Sequence, residues 1–242
     1  MSERLLSVEN VTMKFSGLVA VNEAGLHVDE GEIVGLIGTN GAGKTTLFNV
    51  IAGDLKPTIG KVVFRGREIQ ALPSHRVCRL GITRTYQIVK PFTELTVLEN
   101  VMVGAFLHTT RTAEVRENAI AVLERVGLAD LRNVVGKDLN LPQLKRLELA
   151  RALATQPRLL MLDEVMAGLN PVESAKMITL VRSIGAQGIT LLVIEHVMKA
   201  IMSLSDRVYV MNEGRVIAEG PPQEVVRNPD VVKSYLGARA HA

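Results

Sequence analysis

The sequence predicts an α/β fold: a layered core interrupted by a helical insert. Three observations predict it. Strand-like and helix-like runs alternate through most of the 242 residues, as they do in layered α/β architectures. The nonapeptide Gly38-Thr39-Asn40-Gly41-Ala42-Gly43-Lys44-Thr45-Thr46 sits between a short apolar run and a helix-like one. A later apolar run, Leu159–Leu162, ends in the acids Asp163 and Glu164.

In chain order, the first thirty residues and Gly60–Ile69 read as short strands, with turns at Asp29-Glu30-Gly31 and Arg65-Gly66-Arg67. Ile33–Ile37 reads as a buried strand and Thr46–Ile51 as a helix. Between them, Gly38, Gly43, Lys44 and Thr45 fill the fixed positions of G-x-x-x-x-G-K-[ST]. Gly38, Gly41 and Gly43 let the backbone curl until successive N–H groups face an anion, and the helix adds its positive end. Lys44 is then expected on the β- and γ-phosphates and the Thr45 hydroxyl on Mg²⁺. This pattern implies a nucleoside triphosphate.

From Val97 to about Leu153 the pattern is helical: Ala119, Val122, Leu123 and Val126 share a face, and Gly127 can end their helix. Strand-like runs return at Leu159–Leu162, Thr190–Ile194 and Arg207–Met211, around a helix at Val172–Gly185. The expectation is one domain over residues 1–242, with a helical subdomain at about 90–155 and a C-terminal extension at about 220–242. Asp163, at the C-terminal edge of a buried strand, is placed to orient Mg²⁺ beside the phosphates. Glu164, next along, is placed to polarise an attacking water. His196 follows the strand Thr190–Ile194; alone, it reads as a hydrogen-bonded structural histidine.

Bulk properties narrow the classes. Hydrophobic residues make up 47% of the chain, enough for a packed core, but the longest apolar runs are too short to span a bilayer. Met1-Ser2-Glu3-Arg4 does not resemble a signal peptide, so a cytoplasmic location is expected. The single cysteine, Cys78, excludes an internal disulfide and a cysteine-based metal site. Net charge is +3, basic residues are scattered and aromatics are 3%, so a nucleic-acid platform is not expected.

The phosphate loop, the Asp163-Glu164 strand, His196, Gln87 and the run Arg146-Leu147-Glu148-Leu149-Ala150-Arg151-Ala152-Leu153 together resemble an ABC-transporter ATPase subunit, from Leu6 to about Tyr235. The resemblance implies a P-loop NTPase core with an antiparallel β subdomain and a helical subdomain, implies ATP and Mg²⁺, and assigns roles by position. Phe15 matches the aromatic that stacks on adenine; on its own it reads equally as a core aromatic of an early strand. Gln87 matches the glutamine that meets Mg²⁺ and the attacking water; on its own it reads as a solvated loop residue. Glu164 matches the catalytic glutamate and His196 the switch histidine at the γ-phosphate.

Three further segments resemble the ATPases of branched-chain amino-acid importers, a group that includes amide and urea importers. They are Leu95–Gly104, Asp163–Asn170 and Asn228-Pro229-Asp230 with Tyr235-Leu236-Gly237. This implies permease partners, a second ATPase subunit (a heterodimer favoured, a homodimer possible) and an extracytoplasmic binding protein. The chain would then lie on the cytoplasmic face of the inner membrane, held there through the permease. A non-transport ABC ATPase is the alternative, but such proteins usually carry two fused units or a long coiled coil. Here there is one motif set and no sustained heptads.

The chain also departs from the family pattern. Where the signature reads Leu-Ser-Gly-Gly-Gln, this chain has Leu139-Asn140-Leu141-Pro142-Gln143. In the family dimer that signature caps the ATP held by the other subunit's phosphate loop. Pro142 has no N–H to donate, and Leu141 puts a branched side chain where glycine permits close approach. Asn140 and Pro142 also suit a helix start, so the expectation is a preserved helix with weakened capping. Smaller departures are Asn170, where aspartate is common, and Val165, where proline is usual.

Overall fold

The computed structural model describes residues 3–87, 89–196 and 198–239; Met1, Ser2 and the last three positions of the expected C-terminal extension lie outside them. In chain order the elements are β1 (Arg4–Phe15), β2 (Leu18–Asp29), β3 (Ile33–Gly38), α1 (Lys44–Ile51), β4 (Ile59–Phe64) and β5 (Arg67–Glu68). Next come α2 (Ser74–Leu80), β6 (Ile82–Arg84), α3 (Val97–Ala105), α4 (Thr112–Val126), α5 (Leu141–Leu153) and β7 (Leu159–Asp163). The chain closes with α6 (Pro171–Ala186), β8 (Thr190–Ile194), α7 (Met198–Leu204), β9 (Arg207–Asn212), β10 (Arg215–Gly220), α8 (Pro222–Val225) and α9 (Pro229–Arg239).

Two sheets result. An antiparallel sheet runs β2-β1-β4-β5, and a six-stranded sheet runs β10-β9-β3-β8-β7-β6. In the larger sheet β9, β3, β8, β7 and β6 are parallel, and β10 pairs antiparallel with β9. Strands buried on both faces read as continuous apolar runs, and here alternate residues feed two cores. Leu160, Leu162, Leu191, Val193, Val208 and Val210 join the core under α3–α6. Leu159, Met161, Leu192, Ile194, Tyr209 and Met211 join the core shared with the antiparallel sheet and α1.

The N-terminal strands are longer than their sequence suggests. β1 and β2 are each 12 residues, and their pairing carries register shifts, with Asn10 and Glu23 at positive φ. Such bulges interrupt the two-residue alternation that sequence patterning relies on, which makes one bent strand look like shorter ones. α4 ends at Gly127 in the left-handed region, as expected.

The helical portion is closed by side-chain caps. Thr96 and Glu99 form a capping box on α3, and Asn170 and Glu173 one on α6. Asn100, fully buried, bonds the backbone of Phe92, Leu95 and Thr96 and so fixes the entry to α3.

Candidate nucleotide site

The loop from Gly38 to Thr46 links β3 to α1, and two of its three glycines, Gly38 and Gly43, are sterically required. Gly38 has φ 155, and a Cβ there would come 2.2 Å from the Met211 carbonyl oxygen. Gly43 has φ 97, and its Cβ would meet the Ala20 carbonyl oxygen at 2.4 Å. Gly43 is also the N-cap of α1, and no side chain caps that helix. Its first-turn N–H groups therefore face the loop's concavity, the arrangement that binds phosphate.

Lys44 is buried, and its Nζ donates to the carbonyls of Gly38 and Thr39, each at 2.9 Å. Burial lowers its pKa, while the Glu164 and Asp163 carboxylates pull it back up. Thr45 is exposed toward the cavity and Thr46 half-buried beside it.

Asp163 ends β7 with 1% exposure. Its Oδ2 accepts from Arg84 at 3.2 Å, and its backbone N–H donates to the Thr85 hydroxyl at 3.1 Å. Its Oδ1 is buried with no partner among the described residues. Burial raises the Asp163 pKa, with Arg84 the main opposing charge. A buried carboxylate oxygen without a protein partner suits Mg²⁺, which takes one or two carboxylates and completes its shell with water and phosphate oxygens. Among the described residues no cluster of three or more His, Cys, Asp and Glu forms an all-protein cage.

Three residues far apart in sequence meet at Glu164. Gln87 Nε2 donates to Glu164 Oε2 at 2.8 Å, and His196 Nε2 bonds Glu164 Oε1. Glu164 itself has φ 50, a conformation that costs an L-residue free energy and recurs at functional sites. Its N–H donates to the Ile194 carbonyl at 3.0 Å, which anchors the turn on β8.

Residues 40–46 of the phosphate loop, Gln87, Glu164 and His196 line one cavity of about 1070 Å³, with Phe15 on the wall outside the loop. Phe15 is 41% exposed, so of the two readings of this residue the structure excludes the core aromatic. Leu18 and Val19 share that wall and escaped the sequence reading; their only signal is exposed apolar character beside the Ser16-Gly17 turn.

Four buried charged residues were also missed as supports. Lys145 Nζ donates to the carbonyls of Gln87 (3.2 Å) and Glu164 (3.3 Å). Glu148 accepts the Tyr86 N–H at 2.7 Å. Glu195 accepts the Met166 N–H at 2.9 Å, and burial pushes its pKa up to about 7. Arg84 is the fourth. No local pattern announces them, because each partner lies far along the chain.

The segment Leu139–Gln143 starts α5 as expected. Asn140 Oδ1 accepts the Gln143 N–H at 3.1 Å and Gln143 Oε1 accepts the Asn140 N–H at 2.9 Å, with Pro142 in the first turn. Leu141 is 42% exposed and packs beside Gly168, where an added Cβ would stand 2.9 Å from its Cδ2.

Comparison with known proteins agrees with this geometry. Residues 21–167 match the ABC transporter family. The high-affinity branched-chain amino acid transport ATP-binding protein LivG of Salmonella typhimurium is 43% identical, over 98% of this chain and 99% of that protein. The chain belongs to the ABC transporter family. This ABC ATPase is 42% identical to BraF of Pseudomonas aeruginosa, a high-affinity branched-chain amino acid transport ATP-binding protein, with the same coverage. Its residues 215–241 match the branched-chain amino acid ATP-binding cassette transporter family. Its fold superposes on the crystal structure of a nucleotide-free ATP-binding cassette with a TM-score of 0.88 at 33% identity, covering 96% of this chain and 98% of that one. An ATP-binding cassette in its ADP conformation matches at 0.88 and 32%, covering 98% and 100%. No helix of the ABC ATPase, among the described residues, is long and apolar enough to cross a membrane.

Proposed function

We propose that this chain is the ATP-hydrolysing motor subunit of an importer for branched-chain or hydrophobic amino acids. Full-length similarity to LivG and BraF carries the reading, together with the C-terminal match at residues 215–241. The chain acts as one ATPase domain with a helical subdomain near residues 90–155. It works on the cytoplasmic face of the inner membrane, held there by permease subunits and served indirectly by an extracytoplasmic binding protein.

ATP lies in the cavity with its phosphates on Gly38–Thr46 and its adenine against Phe15. Lys44 exchanges its two loop carbonyls for the β- and γ-phosphate oxygens. Thr45 and Asp163, with Gln87 beside them, would hold Mg²⁺, which supplies charge neutralisation at the phosphates when bound. Glu164 takes the proton of the attacking water, and Gln87 and His196 orient its carboxylate through the contacts they make with it. Lys145 fixes the backbone on both sides of this group.

A second ATPase subunit of different sequence is the favoured partner. The backbone N–H groups of Asn140 and Gln143, donors that could have met a partner's γ-phosphate, are spent inside their own capping box, and Pro142 has no N–H to give. In a heterodimer the weak cap falls on the partner's ATP, and the site on this chain is closed by the partner's signature.

The test is purification of the tagged full chain from a detergent extract of its native membrane. Two permeases and a second, sequence-distinct ATPase are expected in the complex, with ATPase activity stimulated by a binding protein loaded with a branched-chain amino acid. Recovery with no membrane protein would overturn the importer reading.

A further inference from the structure

Arg84, the last residue of β6, sits at a junction that the assignments above leave unexplained. Its side chain is almost entirely buried. One end of the guanidinium donates to Asp163 Oδ2 at 3.2 Å. The other donates to the Asn49 side-chain oxygen and approaches Asp54 Oδ2 at 3.4 Å. Its guanidinium carbon lies over the Tyr86 ring, 4.5 Å from the centroid.

Asn49 stands one helical turn beyond Thr45 on α1, and residues four apart share a helix face. Arg84 therefore ties the face of α1 that carries Thr45 to the carboxylate at the end of β7. Resting on the reading of Thr45 and Asp163 as the Mg²⁺-binding pair, we propose that Arg84 is a positioning residue for that divalent cation. It holds the two protein ligands in register and fixes which Asp163 oxygen is offered.

The geometry says how. An unrestrained carboxylate can turn about its last bond and offer either oxygen. Arg84 occupies Oδ2, and Oδ1 remains buried and partnerless. A guanidinium beside a metal site would ordinarily repel the metal. Here Asp54 lies against the other end of the group and offsets its charge, so the orienting effect prevails. Partners that orient metal ligands in this way are worth about 10–100-fold in metal affinity.

The experiment measures Mn²⁺ binding to the full chain by electron paramagnetic resonance, with a non-hydrolysable ATP analogue at saturation. Analogue affinity in EDTA is measured alongside. Arg84→Met should raise the Mn²⁺ Kd by about 10–100-fold and leave metal-free analogue affinity within twofold of the parent. Arg84→Lys, which keeps the charge but loses the planar fork, should fall between the two. If Arg84→Met does not fold, Asn49→Ala cuts the arm to α1 and should raise the Mn²⁺ Kd in the same direction by a smaller factor. An unchanged or tightened Mn²⁺ Kd in the folded Arg84 variants overturns the proposal, as does an unchanged Kd in Asn49→Ala when only that variant folds. Asp163→Asn separates the two readings. If it binds Mn²⁺ like the parent, the cation reading of Asp163 has failed; if it alone loses Mn²⁺, only the role of Arg84 has.

Discussion

Helices α1 and α5 both start from loops, and their first turns are finished in opposite ways. At α1 the cap is Gly43, which has no side chain to offer, so the first N–H groups stay available to an anion. At α5 Asn140 takes the Gln143 N–H, Gln143 takes the Asn140 N–H and Pro142 has none to give, which leaves the Leu141 amide. As a helix terminus the α5 start is the better finished, since it carries a capping box and α1 has no side-chain cap. The contrast teaches that an anion site at a helix start requires the chain to withhold its own caps. A sequence that caps well there has a stable helix and a poor grip on phosphate.

The hardest test of this contrast is at the open start. Glu164→Gln should lower ATP turnover in the assembled transporter by about 10²–10⁴-fold while ATP affinity stays near the parent value. Lys44→Ala should instead lose ATP binding, since it removes the buried loop cation proposed to meet the phosphates. Steady-state hydrolysis and equilibrium binding separate the two, and a Glu164→Gln chain that still hydrolyses ATP at the parent rate removes Glu164 as the base.

Next in size is reopening the closed start. The triple change Asn140→Ser, Leu141→Gly, Pro142→Gly should strengthen ATP-dependent self-association of the Glu164→Gln chain. Each charge-assisted bond regained is worth about 1.5–3 kcal/mol, or roughly ten- to a hundredfold. The same change should lower thermal stability, because a glycine in a helix costs about 1 kcal/mol relative to alanine. Sedimentation with and without ATP reads the first effect and a melting curve the second. Tight ATP-driven homodimers of the unaltered chain would defeat the contrast.

Phe15→Ala probes the part of the same cavity lining that lies outside the phosphate loop. Loss of an aromatic stack should weaken ATP and GTP alike, by about 3–10-fold, and leave tripolyphosphate binding unchanged. Calorimetry with all three ligands decides it; an equal loss for tripolyphosphate would remove Phe15 from adenine recognition.

The smallest effect concerns the turn after β7, which Glu195 holds through Met166. Burial raises this carboxyl from 4.5 to about 7, so between those pH values the native chain keeps a proton that the unfolded chain releases. Its contribution to stability is therefore present at low pH and lost as pH rises toward 7. Glu195→Gln should flatten the melting temperature across that window. A pH profile identical to the parent's would show that the proton resides elsewhere.

Local chemistry made much of this legible. The phosphate loop, the acids closing β7 and the Asn140–Gln143 start are short patterns whose meaning lies within a few residues. Long-range partners left no such trace. β6 is three residues long, below what periodicity can register, and Arg84 meets Asp163 across 79 positions. Lys145 and Glu148 sit on α5 among leucines and look like the solvated side of an amphipathic helix. They are instead buried against Gln87, Glu164 and Tyr86. The strength of the long strands β1 and β2 was hidden by their bulges.

The position of β3 in the larger sheet has a consequence for how the protein is made. The strand that launches the phosphate loop spans Ile33–Gly38, but its neighbours are β8 at Thr190–Ile194 and β9 at Arg207–Asn212. Met211 supplies the carbonyl against which Gly38 packs. During synthesis, then, the loop emerges early and waits for most of the chain before either flank of its strand is covered. Pairings this distant are slow to close, and nascent chains expose such edges to misassociation until they do. A chain stopped before β8 carries the phosphate loop but lacks the strands that flank and shape it, so competence to bind ATP is expected only after β8 and β9 have been made.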